Sequence, residues 1–153
     1  MKYQLCLVAT IMAVFVFSSC QHQKHEETFL TKSEMLKIVQ ENDNKFSTGI
    51  KRKDAGYIAD IYTDSAQYVQ PKRNILVGKD SIRKDWEDFI ALKEKPVDLI
   101  LIARDVRGDS DIIYETGKGY TLLTDSTKWE FNYVNVWRLQ NDGSYKLEVD
   151  IYN

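Results

Sequence analysis

The sequence predicts an α+β domain in which N-terminal helices pack on a curved antiparallel sheet. Apolar residues recur at helical spacing in the first half of the folded part. Apolar and aromatic strands, separated by short turn segments, fill the second half. Helices followed by a meander of long strands place the helices on one face of the sheet. The length of 153 residues, 43% of them hydrophobic and 29% charged, is typical of one globular domain.

Residues 1–19 predict a signal peptide. A lysine at position 2 precedes an apolar run of about 13 residues, which is shorter than the about 20 that a membrane-spanning helix needs. Two serines then stand before Cys20, an arrangement that resembles a relaxed bacterial lipobox. That resemblance implies cleavage before Cys20, a diacylglycerol on its thiol and an exported lipoprotein anchored on the periplasmic or cell-surface side of a membrane. A plain cleaved signal with a free Cys20 is the alternative.

The remaining chain divides into a tether over residues 20–30 and a domain over residues 31–153. Cys6 lies in the signal peptide, and His22 and His25 lie in the tether. The domain therefore offers neither a Ser–His–Asp triad nor a histidine- or cysteine-based metal site, and no cofactor is expected. The net charge of −2, without a basic stripe, does not indicate nucleic acid as a partner.

Three helices are predicted. Thr31 and Glu34 match a capping box at the start of a helix over about residues 32–52. Its apolar side, which Asn42 interrupts, contains Met35, Ile38, Val39, Phe46 and Ile50. Asp54 can cap a second, shorter helix that carries Ile58, Ile61 and Tyr62 on one face. Asp80 or Ser81 can begin a third helix with the buried stripe Ile82, Trp86, Phe89 and Ile90.

Five strands are predicted. The first covers residues 66–70 and ends at Pro71, and a loop follows at residues 74–78. Aspartate-, serine- and glycine-containing turns separate four later strands, at residues 97–106, 112–123, 129–139 and 145–152. In the last strand, strict alternation places Leu147 on one side, with residues 145, 149 and 151, and Asp150 on the other.

Four segments resemble the NTF2-like cone fold, in particular its SnoaL-like and DUF4440 branch. They are residues 60–66 (DIYTDSA), residues 78–83 (GKDSIR), residues 136–138 with 142–147 (VWR and DGSYKL) and residues 150–153 (DIYN). The resemblance implies a curved sheet around a long helix, a mostly apolar pocket and frequent dimerisation through the outer face of the sheet. It does not imply one activity, because this fold carries isomerases, cyclases, dehydratases and binding modules.

Proton transfer of the ketosteroid isomerase kind is not expected. Those enzymes use an aspartate base, a tyrosine and a protonated aspartic acid. By the resemblance, Gln70 before Pro71, Phe46 and Asn135 occupy these three places, and none of them exchanges a proton near neutral pH. Asp150 remains as a candidate acid or base, expected among Tyr68, Trp86 and Trp137, where desolvation raises its pKa. A structural carboxylate that is hydrogen-bonded within the sheet is the alternative.

Three functions are compatible with this sequence. The first is non-catalytic binding of a small apolar or amphipathic ligand in an aromatic pocket, formed by Phe46, Tyr62, Tyr68, Gln70, Trp86, Tyr133, Asn135 and Trp137. The second is a SnoaL-like enzyme, of the isomerase, cyclase or hydratase type, with Asp150 as general base and Tyr68 or Tyr133 assisting. The third is a protein-interaction or homodimerisation module, which predicts a filled cone and an apolar patch on the outer face of the sheet.

Overall fold

The computed structural model describes residues 29–153. In chain order its elements are α1 (Lys32–Arg52), α2 (Ala55–Ala59), β1 (Tyr62–Val69), β2 (Leu76–Val77), α3 (Lys79–Ile90), β3 (Pro96–Gly108), β4 (Ile112–Leu123), β5 (Lys128–Leu139) and β6 (Tyr145–Tyr152). The predicted signal peptide and Cys20 lie outside these residues. In the described part of the chain, no helix combines the length and the apolar character that a membrane crossing requires.

The predicted capping box begins α1. The Thr31 backbone N–H donates to Glu34 Oε2 at 2.8 Å, and the Glu34 N–H donates to Thr31 Oγ1 at 3.3 Å. The helix buries the face that contains Met35, Val39, Asn42, Asp43, Phe46, Gly49 and Ile50. This face agrees with the predicted apolar side, except that Ile38 is only half-buried and that a carboxyl, Asp43, lies on it.

The segments after α1 differ from the prediction in three respects. Helix α2 ends at Ala59, so Tyr62 is not helical but begins β1, where it pairs with Leu147. Strand β1 therefore begins four residues before the predicted position. The segment predicted as a loop contains the short strand β2, which pairs with β1. Helix α3 begins at Lys79 after the N-cap Gly78, whose φ of 87° suits glycine, and not at Asp80 or Ser81.

The six strands form one curved, unclosed sheet in the order β2-β1-β6-β5-β4-β3. Strands β1 and β6 run parallel, and every other neighbouring pair is antiparallel. Helix α1 packs against the inner face near β3, and α3 packs against β1 and α2. The core lies between these helices and the sheet, and it includes Val39, Phe46, Ile58, Ile82, Trp137 and Leu147. The predicted α+β class is confirmed.

A β-bulge interrupts the predicted alternation of β6. Val149 pairs with Val136, but Leu147 pairs with Trp137, so β6 has one additional residue, Glu148, between these pairs. The bulge reverses the in–out order beyond it. As a result Leu147 and Asp150 both face the interior, whereas the sequence pattern placed them on opposite sides.

Candidate functional site

The interior of the cone contains a cavity of about 400 Å³ between α1, α3 and the sheet. Eight aromatic side chains line it: Phe46, Tyr68, Trp86, Phe89, Trp129, Phe131, Tyr133 and Tyr152. Many of these rings contact one another; the Tyr68 and Trp86 rings, for example, stack with an interplanar angle of 9° and centroids 6.2 Å apart. A pocket of this size and character is suited to a small, mostly apolar molecule.

The pairing of the strands places a row of polar side chains across the inner face. Tyr68 on β1 is paired with Asp150 on β6, Asp150 with Asn135 on β5, and Asn135 with Glu115 on β4. Tyr68, Asn135 and Asp150 line the cavity. Because directly opposed residues in a sheet are in contact, this row brings an amide and a carboxyl together at the cavity floor.

Asp150 is buried, and one of its oxygens has a donor. The Tyr62 hydroxyl donates to Asp150 Oδ2 at 2.6 Å, and Trp86 Nε1 donates to the Tyr62 oxygen at 3.4 Å. Desolvation raises the pKa of Asp150 to about 7, although the bond from Tyr62 favours the ionised form. The negative charge of Glu115 also raises this pKa. Asp150 therefore titrates close to neutral pH while facing the cavity.

Asn135 has an unsatisfied acceptor beside Asp150. Its side chain is 2% exposed, and its Oδ1 has no hydrogen-bond partner among the described residues. A buried amide oxygen without a donor is unfavourable by about 1–3 kcal/mol. Asn135 lines the cavity with another part of its side chain, because this oxygen is itself buried.

Two further buried carboxyls, Asp43 and Glu115, lie behind the floor. Glu115 accepts hydrogen bonds from the Tyr133 hydroxyl to Oε1 at 2.5 Å and from Trp137 Nε1 to Oε2 at 2.8 Å. Asp43 on α1 is hydrogen-bonded to Glu115, and burial, the charge of Glu115 and this bond raise the pKa of Asp43 to about 10. Asp43 is therefore protonated at neutral pH.

Asp43 and Glu115 were not predicted as site residues, although the periodicity of the sequence contained a signal for both. Asp43 follows Val39 by four residues and precedes Phe46 by three, the spacing of the buried helix face. Glu115 lies two residues from Ile113 and two from Gly117 along β4, so all three share the side of the strand that faces inward. Desolvation raises the pKa of Asp150 to about 7, so this predicted candidate acid or base is an interior group that exchanges a proton near neutral pH.

The structure brings most of the predicted pocket residues together. Six of the nine line the cavity: Phe46, Tyr68, Trp86, Tyr133, Asn135 and Asp150. Tyr62 and Trp137 are fully buried and support Asp150 and Glu115 respectively. Gln70 is also buried, but it does not line the cavity; its amide donates to Asp85 Oδ2 at 2.5 Å. The lining aromatics on β5 and at the chain end, Trp129, Phe131 and Tyr152, were not predicted.

No group of three or more metal-ligating side chains is placed to hold a metal among residues 29–153. The sequence matches no protein-family model, and no curated protein matches it. Solved structures do match. Aln2 from a Streptomyces species aligns with a TM-score of 0.71 at 11% identity, over 81% of this chain and 93% of Aln2. A ketosteroid isomerase-like protein from Erwinia carotovora atroseptica aligns with a TM-score of 0.64 at 17% identity, over 78% of this chain and 95% of that one.

A third match names the architecture directly. An NTF2-like protein of unknown function from Shewanella oneidensis aligns with a TM-score of 0.66 at 9% identity, over 76% of this chain and 97% of that one. At such low identity these likenesses concern the fold alone, and the narrower resemblance to the SnoaL-like and DUF4440 branch stays a prediction. The helix-filled, open six-stranded cone of this chain is the NTF2-like fold.

Proposed function

We propose that this protein binds a small, mostly apolar molecule in the cone cavity. The observation that supports this function is the cavity itself, in which aromatic walls surround two adjacent polar groups, Asp150 and Asn135. An apolar body would displace water from the walls, and the two polar groups would fix its orientation. The protein-interaction or homodimerisation module carried two predictions, a filled cone and an apolar patch on the outer face of the sheet. The cavity of about 400 Å³ argues against the first and does not bear on the second.

A thermal-shift survey with small aromatic and alicyclic molecules tests the proposal, because a ligand that binds only the folded state raises the melting temperature. At a hundred times its dissociation constant such a ligand stabilises the fold by about 2.7 kcal/mol. Leu101 lines the cavity, whereas its neighbour Ile102 is exposed on the opposite face of β3. We expect Leu101→Trp to abolish the shift and the control Ile102→Trp to preserve it. Equal shifts in both variants would place binding outside the cavity.

A second candidate function is catalysis with Asp150 as general base. It is favoured by the position of Asp150 at the cavity and by its pKa of about 7, which suits proton transfer at neutral pH. A molecule selected by the survey can be incubated with the protein in deuterium oxide. Deuterium incorporation at carbon that Asp150→Asn abolishes would support an enzyme of the isomerase, cyclase or hydratase type. Binding without exchange would favour the non-catalytic function.

We also propose that lipid on Cys20 anchors the domain to a membrane of the exporting bacterium. The support is the signal-like sequence of residues 1–19 and the two serines before Cys20. Intact-mass measurement of the processed chain should show cleavage before Cys20 together with a diacylglycerol adduct. A Cys20 thiol that reacts with maleimide in the processed protein would contradict this proposal.

The outer face of the sheet supports a homodimer. Val134 and Ile151 are paired neighbours on β5 and β6, and both are exposed, as is Tyr114 on β4. An apolar patch of this kind is typical of an interface. Sedimentation of the unmodified protein should show a dimer, and Val134→Lys should dissociate it. An unmodified protein that is monomeric at all concentrations would refute the homodimer.

A further inference from the structure

The interior of this cone contains acids without a buried base. Among the described residues, the buried charged side chains are Asp43, Glu115 and Asp150. Asp43 holds a proton on the pair that it forms with Glu115, and two more donors, from Tyr133 and Trp137, bind that pair. Asp150 has only a tyrosine hydroxyl as its side-chain donor, and no lysine or arginine contributes to its pKa. The carboxylate at the cavity floor therefore lacks a positive partner.

The mouth of the cavity does not supply this partner. Among the lining residues of the described chain, Arg73 alone is basic, and its Nη2 is 2.6 Å from Asp85 Oδ1. Asp88 and Glu130 also line the cavity. The lining is therefore acidic as a whole. An anionic ligand would meet this acidic lining, and the one cation at the mouth is already paired.

The neighbouring polar group is also an unsatisfied acceptor. Asn135 Oδ1 has no hydrogen-bond partner among the described residues, and Asn135 is paired with Asp150 across the sheet. The Asp150 carboxylate is thus the acceptor at the floor of the cavity, and the amide beside it does not neutralise its charge. The ligand group that suits this carboxylate is one that carries several N–H donors and a positive charge.

The walls favour a cation as well. Tyr68, Trp86 and Tyr133 line the cavity close to this floor, and their ring faces carry partial negative charge. Aromatic cages recognise organic ammonium groups, because a cation over a ring face is attracted by this partial charge. A fourth lining ring, Phe46, packs edge-on against Tyr62 and at a tilt against Trp86.

We infer that the ligand of this cavity is an apolar amine, whose ammonium group pairs with Asp150 while its hydrophobic body lies among the aromatic rings. This inference rests on the proposed function and specifies the chemical class of the ligand. A neutral molecule of the same shape would fill the walls equally well, but it would leave the Asp150 charge without a partner. An anion would add a second negative charge beside it.

Three probes with one ring system separate these cases: naphthylmethylamine, naphthylmethanol and naphthoate. Each is titrated calorimetrically into the full chain in a non-ionic detergent, with protein-free micelles as the background. At about pH 8 the amine is protonated, and Asp150 is ionised. We expect the amine to bind about tenfold to a hundredfold more tightly than the alcohol, and the carboxylate not to bind detectably.

Asp150→Asn should reduce the preference for amine over alcohol to about threefold or less, since it removes the charge but keeps the shape. The matched control is Asp64→Asn, which removes the same charge from a side chain that is 95% exposed and paired with Lys79 on the surface. Should Asp150→Asn not fold, the three-probe series on the unmodified chain still decides the question.

The outcomes distinguish this inference from the function on which it rests. If the alcohol and the amine bind equally well in the cavity, the inference of an amine ligand is overturned, but the proposal of small-molecule binding stands. A preference for naphthoate would overturn the electrostatic argument altogether. If Asp64→Asn reduces the preference for the amine as strongly as Asp150→Asn does, the preference reflects only general charge attraction. That result would also overturn the amine ligand. If none of the three probes binds, the amine ligand is refuted, and the thermal-shift survey decides separately whether the cavity binds anything.

Discussion

Replacing Asp43 by asparagine is expected to stabilise this protein, and to do so more strongly as the pH rises. Asp43 is 5% exposed, is hydrogen-bonded to Glu115 and has a pKa raised to about 10. Asparagine has nearly the same shape, and its amide can donate to Glu115 as the protonated acid does. The substitution therefore preserves the contact and removes the ionisation.

The sign of this pH dependence follows from the number of protons that the folded and unfolded states bind. In the unfolded chain Asp43 ionises near its ordinary pKa of 3.8, whereas in the folded protein it stays protonated up to about pH 10. The unfolded state thus binds fewer protons across this window, so the free energy of unfolding falls as the pH rises. The slope is about 1.4 kcal/mol per pH unit, which amounts to about 4 kcal/mol between pH 5 and pH 8. Asp150 contributes with the same sign up to about pH 7, and it remains in both proteins.

Urea unfolding, followed by tryptophan fluorescence from about pH 5 to pH 8, measures this effect. The stability difference between Asp43→Asn and the unmodified chain should grow steadily with pH and favour the variant at pH 8. Asp64→Asn, a change at an exposed acid, should alter stability by no more than about 0.5 kcal/mol with little pH dependence. A difference that is independent of pH, or an Asp43→Asn protein that is less stable at pH 8, would refute the protonated state of Asp43.

Two further substitutions test the surroundings of this pair. Gly117→Ala would place a Cβ 2.4 Å from the Tyr133 ring and hydroxyl. We therefore expect the free energy of unfolding, measured in urea, to fall by about 1–3 kcal/mol. The control Gly56→Ala meets no atom closer than 3.3 Å and should not destabilise the protein. Glu115→Gln removes the charge that raises the pKa of Asp150, so a carbon-13 carboxyl titration should show a lower pKa for Asp150, and an unchanged or higher value would contradict the coupling.

The architecture could be predicted because its signals are local. The bounds of α1 follow from the capping box at Thr31 and from the apolar face that ends after Ile50. The bounds of β4 and β5 follow from turn residues on each side, such as the glycine at 143 with its φ of 81°. The short strand β2 has no such signal, because its two residues become a strand only through pairing with β1.

The acids of the interior could not be predicted in the same way. A charged residue on a helix is usually solvated, because burying an unpaired charge is strongly unfavourable. Glu34 and Glu41 follow this rule, because both are exposed on α1. It fails for Asp43 because the compensating partner, Glu115, lies on a strand distant in sequence. A shared proton between two buried acids is a tertiary feature that neither segment reveals alone.

Asp150 shows how a single residue of register determines the chemistry of the cavity. Strict alternation groups Asp150 with Glu148 and Tyr152, opposite the core residue Leu147. The observed bulge at Glu148 changes the phase, so one strand provides both an apolar residue under Trp137 and a carboxyl beside Asn135. Sequence periodicity can show that β6 is amphipathic, but the bulge depends on how β6 fits between β1 and β5. The acidic floor of the cavity is therefore a product of strand pairing, and the ligand chemistry that it favours becomes visible only in the assembled sheet.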